Sequence, residues 1–269
     1  MIISQFGGHV TRVNLDGAPI LLTGASSGIG RALALALAGR GARLAIAARR
    51  KDALVEVADA APGPVRPHVI EADLSRPGAA ADLAGQALDS LGTVRILINN
   101  AGVGLVGTQR EVGDDDAARA LFETNFWSPI ALTRALLPTL RGGTVVNVTS
   151  TLQSLPVPTL GYYGASKAAL AHATRTLRNE LRGTGTTVME YVPGATDTAA
   201  RDIDLLPWHG KPARTPPPVS PESAARAIVR AIERGERRRV HPSPSLLPLE
   251  LPAAGRLMAA LVTRRIRLG

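Results

Sequence analysis

Apolar and polar positions along the chain fall into a repeating rhythm of two segment types. Pro19–Thr23 (PILLT), Arg43–Ala48 (RLAIAA), 68–72, 94–98 (VRILI), 144–149 (TVVNVT) and 187–192 are short, nearly continuous apolar runs. Runs of this length and composition read as strands buried on both faces. Between them lie longer segments with helical spacing at 30–38, 51–61, 78–91, 115–140, 161–182 and 221–233. The first is a strong helix former (GRALALALA) stopped by Gly39 and Gly41, and the second ends at Pro62. Six strands alternating with helices predict an α/β fold: a doubly wound, mostly parallel, Rossmann-like sheet in a single domain. Right-handed crossovers then cover both faces, and ligands bind outside the carboxyl ends of the strands.

Two stretches break the rhythm. Residues 194–220 are rich in proline and polar side chains, and so long a connection reads as a lid. Residues 241–269 hold four prolines and then an apolar, basic stretch, GRLMAALVTRRIRLG. The reading is one domain over 1–240, with the lid at 194–220, and a basic, Pro-rich C-terminal extension over 241–269.

Composition narrows the chemistry. With 45% hydrophobic and 20% charged residues the chain is globular, and with no cysteine it has neither disulfides nor a thiol nucleophile. None of the five histidines is paired at a helical metal-ligand spacing, so no metal is expected. The net charge of +9 is concentrated in 221–269, where ten Arg face four Glu. With aromatics at 3%, stacking platforms for bases are absent, and nucleic acid is not the expected partner. The start, MIISQFGGHV, lacks the basic-then-apolar order of a leader, and no apolar run reaches membrane-spanning length. A cytoplasmic location is expected.

Thr23-Gly24-Ala25-Ser26-Ser27-Gly28-Ile29-Gly30 joins the first strand to the first helix. Glycines there allow close backbone approach, and the helix start offers free N–H groups to a pyrophosphate. No Lys-Ser/Thr pair follows, so the turn is not a P-loop. At the end of the second strand, where an acidic residue would accept hydrogen bonds from ribose hydroxyls, stand Ala48, Arg49 and Arg50. A guanidinium suits a ribose phosphate, so the expected cofactor is NADP(H), with NAD(H) second and Arg49 as main contact. Asp73, followed by Leu74, either holds the adenine amino group or caps the next helix.

The turn at 23–30 is followed by Asn99-Asn100-Ala101-Gly102 after the fourth strand, Ser150 after the fifth, Tyr163-Gly-Ala-Ser-Lys167, and Pro193-Gly194 with Thr198 after the sixth. Together, from about Asp16 to Val240, these resemble the short-chain dehydrogenase/reductase family in its compact form. Tyr163 and Lys167 are four apart and share a helix face; an ammonium beside a phenol favours the phenolate. Tyr163 would exchange a proton with a carbonyl or alcohol oxygen, which Ser150 would orient. Ser150 lies 13 residues before Tyr163, which is the family spacing. Tyr162 is assigned to packing or the pocket wall.

The resemblance implies that Lys167 also bonds the nicotinamide ribose. It implies that Asn125 supports a water chain to that lysine, and that the pro-S hydride is transferred. Gly24, Ser26, Ser27, Gly28, Ile29 and Gly30 would hold the pyrophosphate side. Asn99 to Gly102, including Asn100 and Ala101, would shape the cofactor channel. Pro193, Gly194 and Thr198 would approach the carboxamide.

Ile203, Leu205 and Leu206 in the lid favour a small lipophilic carbonyl or alcohol substrate, with Trp208 and His209 beside them. The tail from Leu246 to Leu268, with Arg256, Arg264, Arg265 and Arg267, admits two readings. One is an interfacial helix on anionic lipid; the preferred one is a helix packed on the domain or on a second subunit. A homodimer or homotetramer is a family expectation. The competing functional reading is a catalytically silent NADP(H)-binding regulator. The intact Ser150, Tyr163 and Lys167 speak against it.

Overall fold

A computed structural model describes residues 12–198, 206–209 and 217–266. Of the expected lid, residues 199–205, with Ile203 and Leu205, and 210–216 lie outside them, as do Arg267 and Leu268. The strands are β1 (Pro19–Thr23), β2 (Arg43–Ala48), β3 (His68–Glu71), β4 (Ile96–Asn99), β5 (Thr144–Val148), β6 (Thr187–Pro193) and β7 (Arg238–His241). They form one sheet in the order β3-β2-β1-β4-β5-β6-β7, every pair parallel. The order reverses beside β1, which opens the crevice between the ends of β1 and β4.

The helices are α1 (Gly28–Ala38), α2 (Lys51–Ala60), α3 (Ala79–Leu91), α4 (Gln109–Val112), α5 (Asp116–Phe122), α6 (Ser128–Leu136), α7 (Gly161–Glu180), α8 (Pro221–Glu233), α9 (Leu246–Glu250) and α10 (Pro252–Thr263). Their apolar stripes build two cores. Leu33 and Leu37 of α1 and Ile228 and Ile232 of α8 pack on Ile20, Leu22 and Ile46 on one face. Leu83 of α3 and Leu132 and Leu136 of α6 pack on Leu21, Leu97 and Val145 on the other. Successive strand residues point to opposite faces, so each strand serves both cores.

Two expectations are corrected. The six-strand reading omits β7, whose RRVH sequence gives no apolar signal yet pairs with β6 from Glu190↔Arg238 to Pro193↔His241. The single helix over 115–140 is broken: Glu123–Trp127 forms a π-helical turn between α5 and α6, and α6 ends at Leu136.

Candidate active site

One cleft of about 740 Å³ runs across the carboxyl ends of the strands. At its β1 end the chain turns through Gly24, at φ +69°, into α1. A Cβ on Gly30 would stand 2.0 Å from the Gly24 carbonyl oxygen, so the turn closes this tightly only with glycine there. The turn is stitched to β4. Thr23 Oγ1 accepts from the N–H groups of Asn100 (3.1 Å) and Ala101 (3.0 Å). Asn100 Nδ2 donates to the carbonyls of Thr23 (2.9 Å) and Gly24 (3.2 Å). Helix α1 starts without a side-chain cap and with no acidic residue in its first turn. Its N–H groups and dipole therefore favour an anion in the cleft, which suits a dinucleotide pyrophosphate.

Beyond the turn, Arg49 and Arg50 line the cleft after β2, and Arg50 Nη2 donates to Ser26 Oγ at 3.3 Å. This tether between arginine and glycine turn had no signal in the sequence. Asp73 and Leu74 line the same end. Asp73 Oδ1 accepts from Ser75 Oγ (2.7 Å) and Ser75 N (3.1 Å). These bonds, with Arg49 and Arg76 nearby, hold its carboxyl below the usual aspartate range. The helix-cap reading of Asp73 is overturned, since the N-cap of α3 is Gly78.

The other end carries the reactive groups. Ser150 follows β5 and caps a short 3-10 turn, its Oγ accepting from Leu152 N at 3.2 Å. Helix α7 approaches this turn at Gly164, where a Cβ would stand 3.0 Å from the Leu152 carbonyl oxygen. That contact brings Tyr163 to the cleft wall beside Ser150. Lys167, one turn on, is 3% exposed, and its Nζ donates to the Val148 carbonyl at 3.0 Å. The Nζ lies 5.9 Å from the centroid of the Tyr163 ring, within cation–π range. Burial pushes the lysine pKa down to about 8, because desolvation disfavours the ammonium.

Ser27, Gly28, Ile29, Gly102, Pro193, Gly194 and Thr198 also line this cleft; of the expected site residues Asn99 does not, and neither does Asn125. Asn125 is fully buried behind the cleft in the π-helical turn. There its Oδ1 accepts from Val103 N (2.9 Å), and its Nδ2 donates to Val103 O (2.9 Å) and Ser166 Oγ (3.1 Å). The amide thus holds the segment after β4 as a neighbouring strand would, and ties it to α7. Asn99, expected in the channel, turns away: its Nδ2 donates to Asn147 Oδ1 at 2.8 Å. Asn147 in turn donates to Thr174 Oγ1 of α7 at 2.8 Å. A lone Asn in each apolar strand was the available signal for that buried chain.

Leu206 is absent from the cleft wall and packs with Val157, Leu160 and Ile266. Trp208 bridges to Ile266, and His209 N donates to Arg265 O at 2.6 Å, so this piece of the expected lid is fastened to the C-terminal segment. The tail itself reaches the cleft: Leu247, Pro248, Met258, Ala259 and Val262 line it opposite Leu152, Leu155 and Val157. Tyr162 packs outside, its hydroxyl donating to the Gly113 carbonyl.

This arrangement is that of the short-chain dehydrogenases, whose family model matches residues 18–204, and the chain belongs to that family. It is 34% identical over 251 residues to 11-beta-hydroxysteroid dehydrogenase 1A of Arabidopsis thaliana, a match spanning 86% of this chain and 70% of that one. The 11-beta-hydroxysteroid dehydrogenase A of Sesamum indicum is 36% identical over 242 residues, with the same coverage. Among solved structures, a short chain dehydrogenase from Burkholderia cenocepacia J2315 in complex with NADP superposes with a TM-score of 0.76 at 30% identity. That match covers 93% of this chain and 100% of the other. A family member from Burkholderia phymatum in complex with NAD also gives 0.76, at 27% identity, covering 91% and 97%.

Proposed function

We propose that the protein is an NADP(H)-dependent oxidoreductase that interconverts a carbonyl and a secondary alcohol on a small, lipophilic substrate. The observation that carries the reading is the convergence of Ser150, Tyr163 and Lys167 on the same cleft as the uncapped start of α1. A bound nicotinamide dinucleotide would supply or accept the hydride. Its pyrophosphate would lie against Gly24, Ser26, Ser27, Gly28, Ile29 and Gly30, its adenine by Asp73 and Leu74, and its carboxamide by Pro193, Gly194 and Thr198.

In the reducing direction Tyr163 gives its phenolic proton to the substrate oxygen, and Ser150 orients that oxygen by a hydrogen bond. Lys167, held in a dry site, keeps a positive charge beside the phenol and favours its deprotonated form. Asn125 positions this pair from behind through Ser166 and Val103. The apolar wall of Leu152, Leu155, Val157, Met258 and Val262 supports an uncharged, lipophilic substrate.

NADP(H) rather than NAD(H) is favoured by Arg49 and Arg50 after β2, since two guanidiniums and no carboxylate there suit a ribose phosphate. Initial rates at the reduced-nicotinamide absorbance band, with NADPH and NADH and a panel of ketones, test this directly. NADPH is expected to be preferred by about tenfold or more, the worth of one charge-assisted hydrogen bond. Arg49→Asp is expected to remove that preference through KM for NADPH. Equal or better turnover with NADH in the unaltered protein would overturn the assignment.

A further inference from the structure

Among the described residues, six of the eight exposed large apolar side chains fall between 246 and 261. The tail therefore has two faces. Inward, Ala259 and Ile266 are buried, the latter on Val157, Leu160 and Leu206. Outward, Leu257 and Leu261 are 64% and 53% exposed, one helical turn apart. Leu247 and Leu251, 58% and 53% exposed, extend the apolar surface across the bend before α10. Arg256 and Arg264 are both exposed; with about 3.6 residues per turn, Arg264 falls on the Leu257–Leu261 face and Arg256 roughly a quarter turn to one side of it.

We propose that this face docks on the surface of an anionic lipid bilayer. An apolar stripe edged by arginines matches an interface where leucines enter the acyl boundary and guanidiniums reach lipid phosphates. The alternative occupant, a second copy meeting the same face, would bring the Arg256 and Arg264 guanidiniums of one copy towards those of the other. The tail's one acid, Glu250, pairs with Arg238 and would not relieve that repulsion.

The tail lies on the bilayer and does not span it. α10 has 12 residues, about 18 Å of helix against a hydrocarbon core of about 30 Å. The helix before it meets it at 101°. Leu247 and Met258 belong both to the exposed surface and to the cleft wall, so the docked face borders the cleft on the side of the tail. Docking stands apart from the oxidoreductase reading; entry of a lipophilic substrate from the lipid rests on it.

The test uses the full chain, sedimented with vesicles of phosphatidylcholine containing about 30% phosphatidylglycerol or of phosphatidylcholine alone. Binding is expected to the anionic vesicles, weaker to the neutral ones, and reduced by salt. The double variant Leu257→Asp/Leu261→Asp is expected to lower the bound fraction by at least about tenfold. Neither residue lines the cleft, so turnover of a water-soluble ketone and the melting temperature should match the unaltered protein. Failure to bind anionic vesicles, or equal binding by the variant, would overturn the proposal. So would a smaller oligomer of the variant by light scattering, which would show that a second copy covers this face. Loss of ketone turnover with lipid binding intact would count against the oxidoreductase reading alone.

Discussion

Lys167 carries an ammonium into a site that is 3% exposed, with the Val148 carbonyl at 3.0 Å and the Tyr163 ring nearby. Burial disfavours the charged form, so the folded pKa, about 8, falls below its ordinary value of 10.5. The folded state thus bears a penalty at neutral pH that is relieved as pH rises from about 8 towards 10.5, where the folded lysine sheds its proton before the unfolded one. Without ligand, Lys167→Met is expected to melt higher than the unaltered protein at pH 7, by several degrees, since about 1 kcal/mol is worth roughly 2–4 °C in a domain this size. The gap should narrow by pH 10. A gap that widens with pH would contradict the assignment. The spacing of Tyr163 and Lys167 was legible in the sequence because four residues always share a helix face. The depth of Lys167 was not, because it depends on how closely α7 approaches the end of β5, which is set by the Gly164 contact with the turn after Ser150.

Between elements, the join of β6, β7 and α9 depends on one charge chain. Glu190 of β6 is fully buried and accepts from Gln153 Nε2 at 3.0 Å. Its Oε2 lies 3.6 Å from Arg238 Nε of β7, and Arg238 also pairs with Glu250 at the end of α9. Removing the arginine takes from a buried carboxylate its ion-pair partner on β7 and leaves Arg178 of α7 as the cation that still acts on it. Arg238→Met is expected to cost about 2–3 kcal/mol in denaturant unfolding, and adding Glu190→Gln to recover part of it. Additive losses in the double variant would deny the coupling. The strands β1, β2, β4, β5 and β6 were legible because they are mostly apolar runs buried on both faces, and β3, an edge strand in which only Ile70 is buried, from its short apolar centre. β7 was not: an edge strand of RRVH is specified by its pairing with β6 and by Glu190, neither of which is local. The break between α5 and α6 escaped for a similar reason. Glu123–Trp127 has ordinary helical composition, and the turn widens where Asn125 bonds Val103 and Ser166.

At the scale of the molecule, the ends of all seven described strands deliver their loops to one cleft, and this convergence follows from a parallel sheet whose order reverses at β1. It explains why motifs far apart in sequence could be assigned to one site before any contact was known. What the pattern did not reveal is the roof, since 247–262 closes on Leu152, Leu155 and Val157 through contacts with no periodic signature. The central claim is that Tyr163, beside Lys167 and Ser150, moves the proton while the glycine turn holds a dinucleotide. The most direct measurement is kcat/KM for NADPH-dependent ketone reduction by Tyr163→Phe, with NADPH binding followed by fluorescence in the same samples. The account predicts a loss of about a hundredfold or more with dinucleotide affinity nearly unchanged; full activity in Tyr163→Phe would contradict it.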